Sequence, residues 1–244
     1  MSGPNRSSAV MQQRRTVAPD SLDYFPTPPF ATRALCEFLE SLDHNLEQLT
    51  AWEPACGEDH MARPLREYFG SVRSSDVHRY HEDHDLLDFT LLGHLEPPVD
   101  FVITNPPFRL AEAFVAKGLD VARIGVAMLV RSAFLEGQER YETFYRGNRP
   151  DFVLQFCERV VMLEGRLIRA GERDPYSKDE RDRRARSATS YAWLVWFKGS
   201  NRLDTRLRWI PPCRLRLERQ EDYPDYRARS SPATTGLFAE RQAA

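Results

Sequence analysis

Apolar side chains at Leu35, Phe38, Leu39 and Leu42 fall at i, i+3, i+4 and i+7, the spacing of one helix face. Thr27 followed by Pro28 predicts an N-cap and a first helical position for that helix. Leu49–Glu53 reads as a short strand running into the turn Pro54-Ala55-Cys56-Gly57, and a helix around Met61–Phe69 follows. Val72–Asp76 is a second strand ending on an acid. Val99–Thr104, with Asp100 inside it, is a buried-type strand; Pro106 and Pro107 stop it because they cannot donate to a ladder. A helix over 110–119 leads to the apolar run Ile124–Val130, a further strand. A helix near 138–146 puts Tyr141, Phe144 and Tyr145 on one side. Strands at 152–156 and 191–197 and a weaker one at 207–210 complete the series. Strands alternating with helices and finishing in strand pairs predict an α/β fold, mainly parallel with a late antiparallel pair.

Composition bounds this picture without changing it. The chain has 244 residues, 41% hydrophobic and 11% aromatic, enough for one substantial core. The polar stretch 1–20 reads as a tail, 21–220 as a single domain with a basic loop insertion at about 164–188, and 221–244 as a second tail. No apolar segment is long enough to span a bilayer, and the first residues lack the apolar core of a signal peptide. Cys36, Cys56, Cys157 and Cys213 lie far apart, without a metal or redox spacing. A soluble, cytoplasmic protein with reduced thiols is expected.

The formal net charge of -2 hides an asymmetry. Residues 20–112 carry 18 acidic against 6 basic side chains, whereas residues 198–219 carry 7 basic against 2 acidic. An acidic front and a basic back suit a chain whose later part faces a polyanion.

The chemistry concentrates at Asn105-Pro106-Pro107-Phe108. A parallel strand delivers this tetrapeptide to the sheet edge where α/β folds bind ligands. The Asn105 amide oxygen and the Pro106 carbonyl offer two acceptors side by side, which suits a planar amino group with two N–H donors. Such a nitrogen is a poor nucleophile, because its lone pair is delocalised into the ring. Two acceptors on its hydrogens favour a more tetrahedral nitrogen, aimed at an electrophile. Phe108 supplies a face for a base, and a base in a duplex must leave the stack to reach it.

These residues resemble the motifs of the adenine-N6 DNA methyltransferases. That family carries a (D/N/S)-P-P-(Y/F/W) element, here Asn105-Pro106-Pro107-Phe108, and an E-P-x-x-G cofactor element, here Glu53-Pro54-Ala55-Cys56-Gly57. It also has a Y/F-x-T-P element, here Phe25-Pro26-Thr27-Pro28. The resemblance covers about residues 20–200. It implies a Rossmann-like class I methyltransferase fold, S-adenosyl-L-methionine as cofactor, and DNA, or RNA, as partner. It implies that Glu53 and Gly57 border the cofactor and that Asp76 accepts from its ribose hydroxyls. Asp88 and Phe89 would hold its adenine, with Asp85 the competing acid, and Thr27 and Pro28 would meet its methionine end. A helix N-terminus independently favours the carboxylate there. Asp59 stands where the family often has a second glycine.

Other candidates weigh less. His78, His81 and His84 stand three apart but read as a solvated loop with no cysteine to help. Arg166, Arg169, Arg181, Arg183, Arg184 and Arg186 read as a phosphate-gripping surface, against the alternative of a charged helix with Asp179, Glu180 and Asp182 interspersed. Trp193 and Trp196 read as core; Trp52 reads as core or as a cover for the cofactor. The alternatives to adenine-N6 transfer in DNA are an RNA or protein-glutamine amino-methyltransferase, and a catalytically silent subunit that binds nucleic acid.

Overall fold

A computed structural model describes residues 23–91, 93, 97–174, 177 and 184–226. The helices that organise it are α1 (Pro29–Glu40), α2 (Ala62–Leu65), α3 (Ala111–Val121), α4 (Gln138–Arg140) and α5 (Arg214–Leu217). The strands are β1 (Thr50–Glu53), β2 (Ser71–Asp76), β3 (Asp85–Leu86), β4 (Val99–Thr104), β5 (Ala122–Arg131), β6 (Phe152–Phe156), β7 (Tyr191–Phe197) and β8 (Arg206–Ile210). They form one sheet in the order β3-β2-β1-β4-β5-β7-β6-β8. Only β7 runs against its neighbours; the other pairings are parallel. This is the Rossmann-like class I methyltransferase fold, with β8 added beside β6.

Every residue of β4 is buried, as a parallel strand covered on both faces requires. One core, on the α1 side, gathers Leu35, Leu39, Phe101, Ile103, Leu154 and Trp193. The other, on the α3 side, gathers Val102, Phe114, Val115, Val126, Met128 and Leu194. Asp100 fits inside β4 because its carboxylate accepts from the Thr50 backbone N–H (2.8 Å) and hydroxyl (2.9 Å) and meets Arg123 Nε at 3.0 Å. Burial works against its ionisation, but these partners prevail and hold it below the usual carboxylate range.

Three expectations shift. Pro28, not Thr27, precedes the first residue of α1, and no side chain caps that helix. Both Pro28 and Pro29 lack an N–H, so the start of α1 offers fewer donors to an anion than the motif suggested. The helix expected at 61–69 contracts to α2 and turns, because Pro64 and Gly70 interrupt it. The helix near 138–146 is one α turn continued as a π turn over Tyr141–Tyr145.

Residues beyond 220 contact this fold. Asp222 is buried in an ion pair with Arg33 (2.7 Å), which also holds Glu67 (2.8 Å) and the Leu217 carbonyl (2.6 Å). The Tyr226 hydroxyl accepts from Leu167 N at 2.8 Å. No described helix is long and apolar enough to cross a membrane.

Candidate active site

The order of strands reverses direction between β1 and β4, and a cleft opens at their C-terminal ends, where side-by-side strands send their connections to opposite faces. It measures about 830 Å³ counted to its open mouth. Glu53, Pro54, Ala55 and Cys56 line it from the end of β1, and Asp76 from the end of β2. Asp88 and Phe89 line it beyond β3, and Asn105 and Pro107 beyond β4. Phe25 and Thr27 close it from a strap, residues 23–28, that crosses the sheet edge. Asp85 points away and pairs with Arg73 (3.0 Å), so of the two competing acids only Asp88 reaches the cavity.

The loop after β1 is built on positive-φ residues. Gly57 has φ 50°, and its N–H donates to Asp76 Oδ2 at 2.9 Å, tying β1 to β2. A Cβ at Gly57 would collide with the Tyr24 ring. Asp59 has φ 68°, the left-handed region that aspartate tolerates better than most residues. Its side chain leaves the cavity free, turning outward to Arg66 Nη1 (2.7 Å) and His84 Nε2 (3.0 Å). Aspartate in place of the family's second glycine therefore costs the cavity no space.

His84 was expected in a solvated loop. Its side chain is buried, with Nδ1 3.2 Å from Cys56 Sγ and Nε2 facing Asp59. The ligand atoms of Cys56, Asp59 and His84 lie within 4.8 Å of one another. Asp59 Oδ1, which faces His84 Nε2, is buried without a hydrogen-bond partner, and the three groups together could hold a metal ion. Burial, then the nearby Glu53, Asp76 and Asp59, push the Cys56 thiol far up, and a neutral thiol suits a donor to imidazole.

The acids of this wall are held unevenly. Burial, with Asp59 and Asp76 adding, pushes the Glu53 carboxyl well above its ordinary range, and its Oε2 is buried without a hydrogen-bond partner. Burial likewise raises Asp76, although the His78 and Gly57 N–H groups oppose it. Phe89 is packed between Trp52 and Phe114. Trp52 itself is core, donating from Nε1 to Ser75 Oγ (2.9 Å), as are Trp193 and Trp196. Pro28 and Gly57 stand just behind the lining.

The opposite wall centres on Asn105. Its Nδ2 donates to the Phe25 carbonyl at 2.8 Å and faces Met162 Sδ at 3.7 Å. A carbonyl only accepts, so this bond fixes which way the amide points. Oδ1 is left buried and without a partner, on a residue that lines the cavity. Pro106 is buried just behind. Phe108 donates its N–H to Asp23 Oδ2 (2.7 Å) and packs against Phe25, ring centroids 5.3 Å apart. Its ring lies outside the cavity lining, with the Arg131 guanidinium 3.8 Å over it.

Four participants escaped the sequence reading. Tyr24 stacks on Tyr80 at 5.1 Å, its hydroxyl accepts from Glu58 N at 3.4 Å, and both rings line the cleft. His60 lines it too. Arg131 had a visible signal: a cation ending the most apolar strand, level with the proline motif.

The expected phosphate-gripping arginines divide. Arg166 is locked bidentate to Asp174 (2.9 and 2.6 Å), and Arg169 meets Glu218 (3.4 Å) and Glu172 (3.7 Å). Arg184 and Arg186 are exposed, and Arg181 and Arg183 lie outside the described residues. The described residues at the insertion's two ends are packed: Val161, Ile168 and Ala185 form a small core with Tyr226, and Gly165 N–H donates to the Tyr24 carbonyl at 2.9 Å.

No protein-family model matches the chain, and no curated protein matches it in sequence. Its fold does match solved structures. A protein of Listeria monocytogenes assigned to the class I S-adenosylmethionine-dependent methyltransferases is similar at TM-score 0.55 and 13% identity, over 82% of this chain and 69% of that one. A protein of Pyrococcus horikoshii assigned as an RNA methyltransferase is similar at TM-score 0.51 and 14% identity, over 81% and 99%. The methyltransferase subunit of a type I restriction-modification system from Streptococcus thermophilus is similar at TM-score 0.52 and 11% identity, over 76% and 47%. At these identities the likeness is one of fold.

Proposed function

We propose that this protein transfers a methyl group from S-adenosyl-L-methionine to the N6 amino group of adenine in DNA. The observation that carries the proposal is the Asn105 amide: its nitrogen is committed to Phe25, and its oxygen is buried, unpartnered and at the cavity wall. A buried acceptor without a donor costs roughly 1–3 kcal/mol, so the site is built to receive an N–H. The Pro106 carbonyl supplies the second acceptor. Phe108 receives the base once Arg131 has moved aside.

The cofactor assignment rests on the opposite wall. On this reading Asp76 accepts from the ribose hydroxyls, Glu53 borders the cofactor, and Asp88 and Phe89 hold its adenine; all four line the cleft. The methyl supply is the cofactor's chemistry; the chain orients the amine, excludes water behind Tyr24 and Tyr80, and lowers the cost of charge at the nitrogen by accepting from both of its hydrogens. Asn105 stays neutral throughout, so the amine's surplus proton leaves to solvent through the open mouth.

The test is methyl transfer from labelled S-adenosylmethionine to adenine-containing DNA, matched RNA and total protein. Label on the adenine amino group of DNA is expected. Label confined to protein, or to RNA, overturns the substrate assignment. No detectable binding of S-adenosylhomocysteine by calorimetry overturns the cofactor assignment and favours a silent nucleic-acid-binding subunit.

A further inference from the structure

Arg131 ends β5 at the C-terminal rim of the sheet, where its backbone pairs with Tyr191 of β7. Its guanidinium lies 3.8 Å over the Phe108 ring and 5.7 Å from Phe25, and its Nε is buried without a hydrogen-bond partner. Among the described residues no carboxylate pairs with it; its polar neighbour is the Tyr191 hydroxyl. Arg159 stands on the other side of the same strand start. It donates to the Ser190 hydroxyl and to the Ala188 carbonyl (3.4 Å), again with no described carboxylate. Ser132 N–H, one residue after Arg131, donates to the Ser190 carbonyl at 2.8 Å, holding both arginines to one short segment.

Two cations to which no described carboxylate bonds, both held to residues 188–191 beside the target wall, contrast with the insertion, where Arg166 and Arg169 are already paired with acids. A half-buried guanidinium without an anion is poorly compensated, and stacking on one ring recovers only about 0.5–2 kcal/mol. The missing partner is an anion delivered with the ligand.

We infer that Arg131 and Arg159 form an anion track for nucleic-acid phosphates, and that Arg131 receives the phosphate next to the target base. This rests on the nucleic-acid reading above. In this structure Arg131 lies on Phe108, on a face that a base needs. As the strand docks, the guanidinium moves to the phosphate and the ring face passes to the base. Arg131 is a positioning residue: it touches the backbone of the substrate and neither of the reacting atoms.

The experiment measures oligonucleotide binding by fluorescence anisotropy across a salt series, with methylation kinetics and S-adenosylhomocysteine calorimetry on the same proteins. Arg131→Ala and Arg159→Ala are each expected to reduce the log–log salt slope by about one. For Arg131→Ala, KM for DNA rises about tenfold, more than kcat falls, and the affinity for S-adenosylhomocysteine is unchanged. Arg131→Lys restores the salt slope, since charge alone sets it, but only part of KM, since lysine lacks the planar face. An unchanged slope in Arg131→Ala overturns the inference, and so does a parallel loss of cofactor affinity, which marks a structural role. Arginine-dependent binding without methylation of DNA leaves the track standing and removes the adenine assignment. A wild-type protein that binds no nucleic acid overturns both.

Discussion

The two walls of the cleft run on opposite electrostatic terms. The wall at β1 and β2 buries Glu53, Asp59 and Asp76 around hydrogen-bonded loops, with Arg66 as the cation that holds Asp59. The wall at β4 has a neutral amide with an unmet acceptor; behind it, outside the lining, an aromatic ring carries a guanidinium with no described carboxylate bonded to it. Under the proposed function, that difference assigns the cationic cofactor to the first wall and the polyanion to the second.

The sharpest way to break the comparison is at Asn105. Asn105→Ala is expected to lower methyl transfer at least about 100-fold with little change in cofactor affinity, because it removes the positioned acceptor. Asn105→Asp keeps the acceptor but gives up the Phe25 bond, and falls between the two in kcat. Wild-type turnover in the alanine variant removes the target wall from the mechanism.

Gly57→Ala tests the cofactor wall. It strains a φ of 50° and drives a methyl into the Tyr24 ring. Calorimetry is expected to show at least a tenfold loss of S-adenosylhomocysteine affinity, a change of about 1.4 kcal/mol. Unchanged affinity means that the strap yields at no cost.

Glu53→Gln sharpens the electrostatics. A carboxyl whose folded pKa is raised contributes stability below its unfolded value, near 4.3, and withdraws it as pH rises through the folded value. Asp76 acts in the same sense, whereas Asp59, held low chiefly by Arg66 although burial opposes it, acts in the opposite one. Without cofactor, Glu53→Gln is therefore expected to melt higher than wild type at pH 8, with the gap closing toward pH 4. It should also bind the cofactor more weakly. A melting curve lower at pH 8 contradicts the raised pKa.

The smallest effects separate the arginines. Arg166→Ala removes the bidentate partner of the buried Asp174, so it is expected to lower the melting temperature and leave the salt slope of DNA binding unchanged. Arg184→Ala with Arg186→Ala, both exposed, should do the reverse. A common behaviour in both variants would erase the distinction between the buried-acid pair and the exposed arginines.

The sequence pattern reached β4, β6 and β7 residue for residue, since a strand covered on both faces shows as a largely apolar run and prolines or polar turns mark its ends. It missed β3, two exposed residues whose strand character comes only from pairing with Ser75 and Asp76. The contacts of Asn105 could not be read locally either, because Phe25 and Met162 are distant in sequence and meet it only through the strap. His84 was misplaced for the same reason: its partner Cys56 lies across a strand, and spacing along the chain carries no trace of it.

The bond that aims the Asn105 amide has a main-chain carbonyl at its far end. Any amino acid at position 25 supplies that carbonyl, so drift in the strap's side chains leaves the acceptor's orientation untouched. A change in the number of residues does not. Deleting one residue between 23 and 27 would slide a different carbonyl, or none, opposite the amide. The reactive geometry is thus tolerant of substitution and intolerant of a change in strap length.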